Sequence, residues 1–340
     1  MRYIFELNHP KHYYQFKQVM LTLQERGHQV KVLARDKDVL LDVLQEENVP
    51  YTIFGRHSKS MSAKVFGTFS LIRNYFAIVR QYKPDIIVSK ASWYGTFTAW
   101  LKHKKSVIFP DSEVVKLTNR YVVPLCTKVV TPDSFQLDYG SKHLRVPGIF
   151  EDCYLAPQVF QPDPTIVEKY GLQRPYAILR FVGWFANHDV GNSGFNSEQK
   201  LSLVKTIAQH MTVYISSEKE LPSELAQYRL PTPASLIHHV LSYADLYIGD
   251  SQTMAAEAAL LGTPAIRSNS FVGPNDMSNF VMLQNQYGLL HNIASPVEAT
   301  QLAQTMSQTS HKQEWLQKRE QYYSQTGDIN AQIVEILENV

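Results

Sequence analysis

The feature that most constrains this chain is the regular return of short apolar, β-branched runs, each followed by a longer stretch of helical period. A strand covered on both faces reads as a continuous apolar run, and the helix covering it carries one apolar stripe. Alternation of the two predicts βα units around a parallel sheet. Residues 2–7 read as a strand and 13–25 as an amphipathic helix closed by Gly27, with a second strand at 29–34. Residues 85–89, 106–109 and 128–131 continue the series. After Val146-Pro147-Gly148, a stretch with Pro157, Pro162 and Pro164 breaks the pattern. It restarts at 176–182 and runs through 212–216, 246–249, 265–268 and 288–291. The expectation is an α/β protein with two domains, 1–155 and 156–340, in which the last polar helices pack back on the first. Ligands of such sheets sit beyond the carboxyl ends of the strands, so two facing sheets would enclose a cleft.

A chain of 340 residues is long enough for two cores. With 44% hydrophobic and 19% charged residues it is an ordinary globular protein, and a net charge of +2 gives no global attraction for nucleic acid. The cysteines, Cys126 and Cys153, form neither a CxxC nor a Cys/His cluster, so a disulfide framework and structural zinc are not expected. The opening MRYIFELNHP lacks the pattern of a secretory signal, and no 18-residue apolar run occurs, which predicts a cytoplasmic protein. Neither G-x-G-x-x-G after the first strand nor G-x-x-x-x-G-K is present, which disfavours nicotinamide and P-loop chemistry.

The densest chemistry lies in ADLYIGDSQTMAAEAALLGTPAIR, residues 244–267: strand, short turn, small-residue helix, Gly stop, strand. Unpaired amides at a helix start carry partial positive charge and can hold a phosphate without lysine. Ser251 and Thr253 add hydroxyls, and Glu257 could accept from ribose hydroxyls. The alternative is that Asp250 or Ser251 merely caps the helix, Glu257 is solvated and the alanines allow close packing.

This segment resembles the donor-binding motif of GT-B enzymes, notably the DSGG-x-x-EE run of non-hydrolysing UDP-N-acetylglucosamine 2-epimerases and its counterpart in the peptidoglycan N-acetylglucosaminyltransferase. The resemblance puts Asp250 and Ser251 at that motif's Asp and Ser, and Glu257 at the second, ribose-holding Glu. Gln252 and Thr253 replace the two glycines, so side-chain donors stand where backbone would approach the diphosphate. Over nearly the whole chain, HPKHYYQF, RGHQVKVLARD, KPDIIVS, VPGIFEDCYLAP, LRFVGWFANHD and GDSQTMAAEAALLGTP resemble the family called domain of unknown function 354, which is related to GT-B glycosyltransferases. The resemblance implies two Rossmann-like lobes and metal-independent transfer from a nucleotide-sugar, UDP-linked, to a glycan or lipid-linked acceptor. No cofactor is implied, the nucleotide-sugar being a substrate. An epimerase or hydrolase is the alternative reaction, and a non-catalytic nucleotide-sugar-binding protein the alternative class.

Other candidates follow from strand ends. His12, in the turn after the first strand, could take a proton from an acceptor hydroxyl, or it and His9 could only cap the helix. Arg180 could neutralise the departing diphosphate or form a salt bridge. Asp111 and Glu113 could position sugar hydroxyls or supply a base, or be solvated. Asn187, His188 and Asp189 are candidate cleft residues, and His238 or His239 could approach the nucleotide. Asp36 and Asp38 form a D-x-D, read here as helix caps rather than as a metal site. Residues 56–83 hold basic and aromatic residues without Asp or Glu, which suggests either peripheral membrane contact or an ordinary amphipathic helix.

Overall fold

The computed structural model describes residues 1–36, 40–56, 61–113, 120–182, 194–217 and 220–340, with the side chains of 56 and 61–69 excluded. The chain divides into two compact units, Met1–Tyr154 with Gly327–Val340, and Leu155–Thr326.

The first unit holds β1 (Arg2–Leu7), β2 (Gln29–Asp36), β3 (Tyr51–Arg56), β4 (Ile86–Ser89), β5 (Lys105–Ile108), β6 (Lys128–Pro132) and β7 (His143–Val146). They form one sheet in the order β3-β2-β1-β4-β5-β6-β7, and every pairing is parallel. The runs read as strands are confirmed within one or two residues, while β3 and β7 were not anticipated. Both lie at the sheet's edges, where half-exposed residues such as Tyr51, Thr52, His143 and Leu144 replace the apolar run.

The helix Pro10–Glu25 starts with Pro at its first position and with His9 as cap, whose Nδ1 accepts from the Lys11 amide at 3.1 Å. It buries Tyr13, Phe16, Val19, Met20 and Leu23, a stripe at three- and four-residue spacing. On the other face Leu71, Tyr75 and Val79 of the helix Met61–Tyr82 pack with Ile4, Leu33, Phe54 and Ile87. The apolar side of residues 70–82 is therefore core. The C-terminal helix Ile329–Asn339 belongs to this unit: it buries Ile329, Ile333, Val334 and Leu337, and Tyr3 donates to the Leu337 carbonyl at 3.1 Å.

The second unit holds β8 (Tyr176–Phe181), β9 (Thr212–Ser217), β10 (Leu246–Gly249), β11 (Ala265–Arg267) and β12 (Leu290–Asn292), in the order β12-β11-β10-β8-β9. All pairings are again parallel. Its main helices are Ser197–Ile207, Ile237–Tyr243, Gln252–Leu260, Ser278–Asn285, Pro296–Ser307 and Lys312–Thr326.

Strand order reverses once in each sheet, between β1 and β4 in the first unit and between β8 and β10 in the second. Consecutive crossovers leave to opposite sides there, opening a crevice beyond the carboxyl ends of the two strands. Among the described residues no helix is long and apolar enough to cross a membrane.

Candidate functional site

In the second unit, Arg180 of β8 and Gly249 of β10 are register partners at this reversal. The Asp250 amide donates to the Arg180 carbonyl at 3.2 Å. One Asp250 carboxylate oxygen accepts from the Val182 amide at 2.8 Å, and Asn269 donates to the Asp250 carbonyl at 3.0 Å. Asp250 is buried and fastens the ends of two strands to the turn after β11. Space here is tight: a Cβ on Gly249 would sit 2.4 Å from the Arg180 carbonyl oxygen, and one on Gly194 2.6 Å from the Asp250 Cβ.

Ser251 then caps the helix Gln252–Leu260, its hydroxyl accepting from the Met254 amide at 3.3 Å. Gln252 and Thr253, both half-buried, occupy the first positions, where the helix dipole is positive. Alanines at 255, 256, 258 and 259 are fully buried and let the helix approach its neighbours. Glu257 is buried as well, with His238 Nε2 3.2 Å from its carboxylate, so it is not a solvated surface residue. Phe160 packs edge-on against His238, while His239 accepts from the Asp163 amide at 3.0 Å. Arg180 donates to the Ser216 hydroxyl at 3.0 Å. Burial, with Asp250 next, pushes the Tyr247 hydroxyl well above its ordinary range, so it stays protonated.

The first unit has a charged cluster at its own reversal. Lys90 follows β4 directly, and its buried ammonium lies 3.1 Å from Asp111, 2.9 Å from the side-chain amide oxygen of Gln15 and 4.3 Å from the centre of the Phe150 ring. Lys11 lies 2.8 Å from buried Glu151 and 3.6 Å from Asp111. Partial burial opposes ionisation of Asp111, but Lys90 and Lys11 outweigh it and hold the carboxyl well below the usual carboxylate range. Burial likewise lowers the Lys90 ammonium, against the pull of Asp111.

His12 stands at the same end. Burial, reinforced by Lys90, keeps its ring neutral well below pH 6.5. Its Nδ1 accepts from the Asn8 amide at 3.2 Å, so the neutral ring carries its proton on Nε2. That tautomer offers a donor at Nε2, and the sequence expectation that His12 removes a proton meets this obstacle. Glu113 accepts from the Gln136 amide at 2.8 Å, which ties it to the loop after β6. Glu6, on β1, is a wholly buried carboxyl that burial raises, bonded by Asn8 at 2.9 Å.

Lys11, Lys90 and Glu151 were not singled out from the sequence. The signal for Lys90 was present: a charged residue directly after the apolar run DIIVS, where a parallel strand delivers its carboxyl end. Residues 187–189 and Asp38 lie outside the described residues. Asp36 ends β2, and among the described residues no three His, Cys, Asp or Glu are grouped to hold a metal ion.

Residues 3–145 match the family model described as "Protein of unknown function (DUF354)". The match lies within the first unit and leaves the second unit uncovered. No curated protein matches the chain in sequence. Solved structures similar to the chain include MurG of Acinetobacter baumannii, at 16% identity and a TM-score of 0.62, with both chains fully covered. The UDP-GlcNAc 2-epimerase from Methanocaldococcus jannaschii is similar at 12% identity and a TM-score of 0.70, again with full coverage of both. So is the UDP-GlcNAc 2-epimerase from Neisseria meningitidis bound to UDP-GlcNAc, at 12% and 0.65, covering both chains fully. The fold is of the GT-B type expected from the DUF354 resemblance. At such identities the likeness defines the fold, and chemistry has to be argued from side chains.

Proposed function

We propose that the protein is a glycosyltransferase whose second unit holds a nucleotide diphosphate sugar, UDP-linked, and whose first unit activates a hydroxyl of a glycan or lipid-linked acceptor. The observation that carries the reading is the meeting of Arg180, a Ser-capped helix start and buried Glu257 at the strand-order reversal of the second sheet. Amide dipoles at 252 and 253, the Thr253 hydroxyl and the Arg180 guanidinium supply positive potential for a diphosphate. Glu257, on the next turns of that helix, accepts from ribose hydroxyls. Asp250, whose carboxylate holds the Val182 amide, sets the positions of these groups rather than touching the anion.

In the transfer, the bond between the anomeric carbon and the phosphate oxygen breaks, its electron pair leaving with the diphosphate. The acceptor oxygen bonds to that carbon and gives up its proton. Arg180 and the helix amides stabilise the leaving charge, a role that needs no metal ion. His12, protonated on Nε2, donates to and orients the acceptor oxygen. Asp111, kept ionised by Lys11 and Lys90, takes the proton; a weak base suffices because the hydroxyl becomes acidic as its oxygen bonds to carbon.

The test is a thermal-shift panel of nucleotides and nucleotide sugars on wild type and Glu257→Ala, followed by transfer assays. A selective ligand raises the melting temperature of the state that binds it. The expected result is a UDP response lost in Glu257→Ala; an unchanged response removes the ribose assignment. Epimerisation or hydrolysis of UDP-N-acetylglucosamine without acceptor would overturn the transferase reading.

A further inference from the structure

The helix Trp93–Leu101 buries only one side. Gly95, Thr96, Thr98 and Ala99 face the core, whereas Trp93 is 39% exposed, Trp100 51% and Leu101 45%. Trp93 and Phe97 stack with ring centres 5.1 Å apart, and Trp100 follows Phe97 at 5.9 Å. Their spacing of four, then three, then one residue lays Trp93, Phe97, Trp100 and Leu101 along one outer strip of the helix. A contiguous exposed aromatic strip on a folded unit marks an interaction surface, and indole rings favour the boundary between water and lipid.

Charge selects the partner. Between residues 49 and 110 the sequence has ten Lys and Arg against a single acidic residue, Asp85, whose carboxylate accepts from the Arg2 amide at 2.8 Å. The helix Met61–Tyr82 packs beside the aromatic helix and exposes Arg73 and Arg80. Lys102, next along the chain from the strip, spans to it with its ammonium 4.5 Å from the Phe76 ring. Exposed indoles flanked by cations complement an anionic bilayer surface, where rings enter the headgroup boundary and cations meet the surface potential.

We propose that the strip Trp93, Phe97, Trp100 and Leu101, with the basic residues of the neighbouring helix, docks the first unit on an anionic lipid surface. The sequence had pointed to 56–83 for such contact. In the described part of that helix Leu71, Tyr75 and Val79 serve the core, and the large exposed aromatic residues come from the following helix. Docking goes beyond the transfer reaction and does not depend on it.

The experiment is flotation of the full chain with vesicles of phosphatidylcholine alone and of phosphatidylcholine with phosphatidylglycerol, with tryptophan emission recorded. Wild type is expected to float with the anionic vesicles and to shift its emission to the blue. Trp93→Ser/Trp100→Ser is expected to lose about tenfold in binding while its melting temperature stays unchanged. Arg73→Gln/Arg80→Gln is expected to weaken binding to anionic vesicles only. Absence of binding by wild type, or equal binding by the tryptophan variant, overturns the proposal. So does a wild-type dimer that the tryptophan variant turns into a monomer, since the strip then belongs to a second copy. Because flotation requires no turnover, failure of the transfer reading leaves this result intact, and the reverse also holds.

Discussion

Lys90 shows how one buried charge organises a neighbourhood. Its ammonium is almost wholly buried, and taking it out of water is tolerable only because Asp111, Gln15 and the Phe150 ring surround it. Lys90→Met should leave Asp111 without its nearest cation and cost ~2 kcal/mol, below the range for a fully buried pair because Asp111 is partly exposed. Denaturant titration measures this. The same change should move the Asp111 titration upward, toward the usual carboxylate range, in carbon-detected NMR. Gly249 makes a different point. Its missing Cβ is what lets β8 and β10 end together, so Gly249→Ala, with 2.4 Å to a backbone oxygen that cannot rotate away, should cost ~2 kcal/mol and disturb Arg180. A melting temperature equal to wild type would show that the strands can part at no cost.

Among the elements, the helix Gln252–Leu260 depends on its ends. Ser251→Ala removes the acceptor for the Met254 amide and should destabilise by ~1 kcal/mol. The helix Lys312–Thr326 carries a pH response. Lys312 donates to the Ala244 carbonyl at 3.1 Å and to the Thr263 hydroxyl at 2.7 Å, and burial lowers it from 10.5 to about 7. A base with a lowered folded pKa binds its proton more tightly in the unfolded chain, so stability should rise with pH between about 7 and 10.5. Melting curves across that interval should show the rise, and Lys312→Met should flatten it. A wild-type melting temperature that falls from pH 7 to pH 10 would contradict this account.

For the molecule as a whole, the second unit is an unbroken stretch of chain, whereas the first is completed by residues 327–340. The C-terminal helix buries Ile329, Ile333, Val334 and Leu337, and its Glu338 pairs with Arg26 and His28. Ending the chain at Thr326 should remove on the order of 5 kcal/mol from the first unit, since each buried aliphatic side chain contributes ~1.5 kcal/mol or more. Aggregation on expression, or loss of a cooperative transition assigned to that unit, would register it. A truncated chain that melts like the full one would show that the helix contributes little.

How far the sequence could be read depended on what surrounds each segment. Central strands such as β1, β4 and β10 are covered on both faces, so continuous apolar runs announced them. The edge strands β3 and β7 have water on one flank, and their mixed residues hid them. At the candidate site, Ser251 and Glu257 lie on one local segment and were singled out together, whereas the burial of Glu257 depends on residues elsewhere in the chain. Lys11, Lys90, Asp111 and Glu151 come from four places in the chain, and no local spacing links them.

What the sequence alone determined is the alternation of strands and helices, the two-part α/β plan, and the strand-turn-helix from Leu246 to Leu260, because each follows from local periodicity and capping. Tertiary structure decided which lysines meet Asp111, that Asp250 fastens Val182, and that the exposed aromatic strip lies on the helix Trp93–Leu101. It also decided the proton position on His12, because the Asn8 amide reaches Nδ1 only once β1 and the following helix are folded. Charges and hydrogen-bond partners are chosen by distance in space, and only the strand order brings these residues within reach.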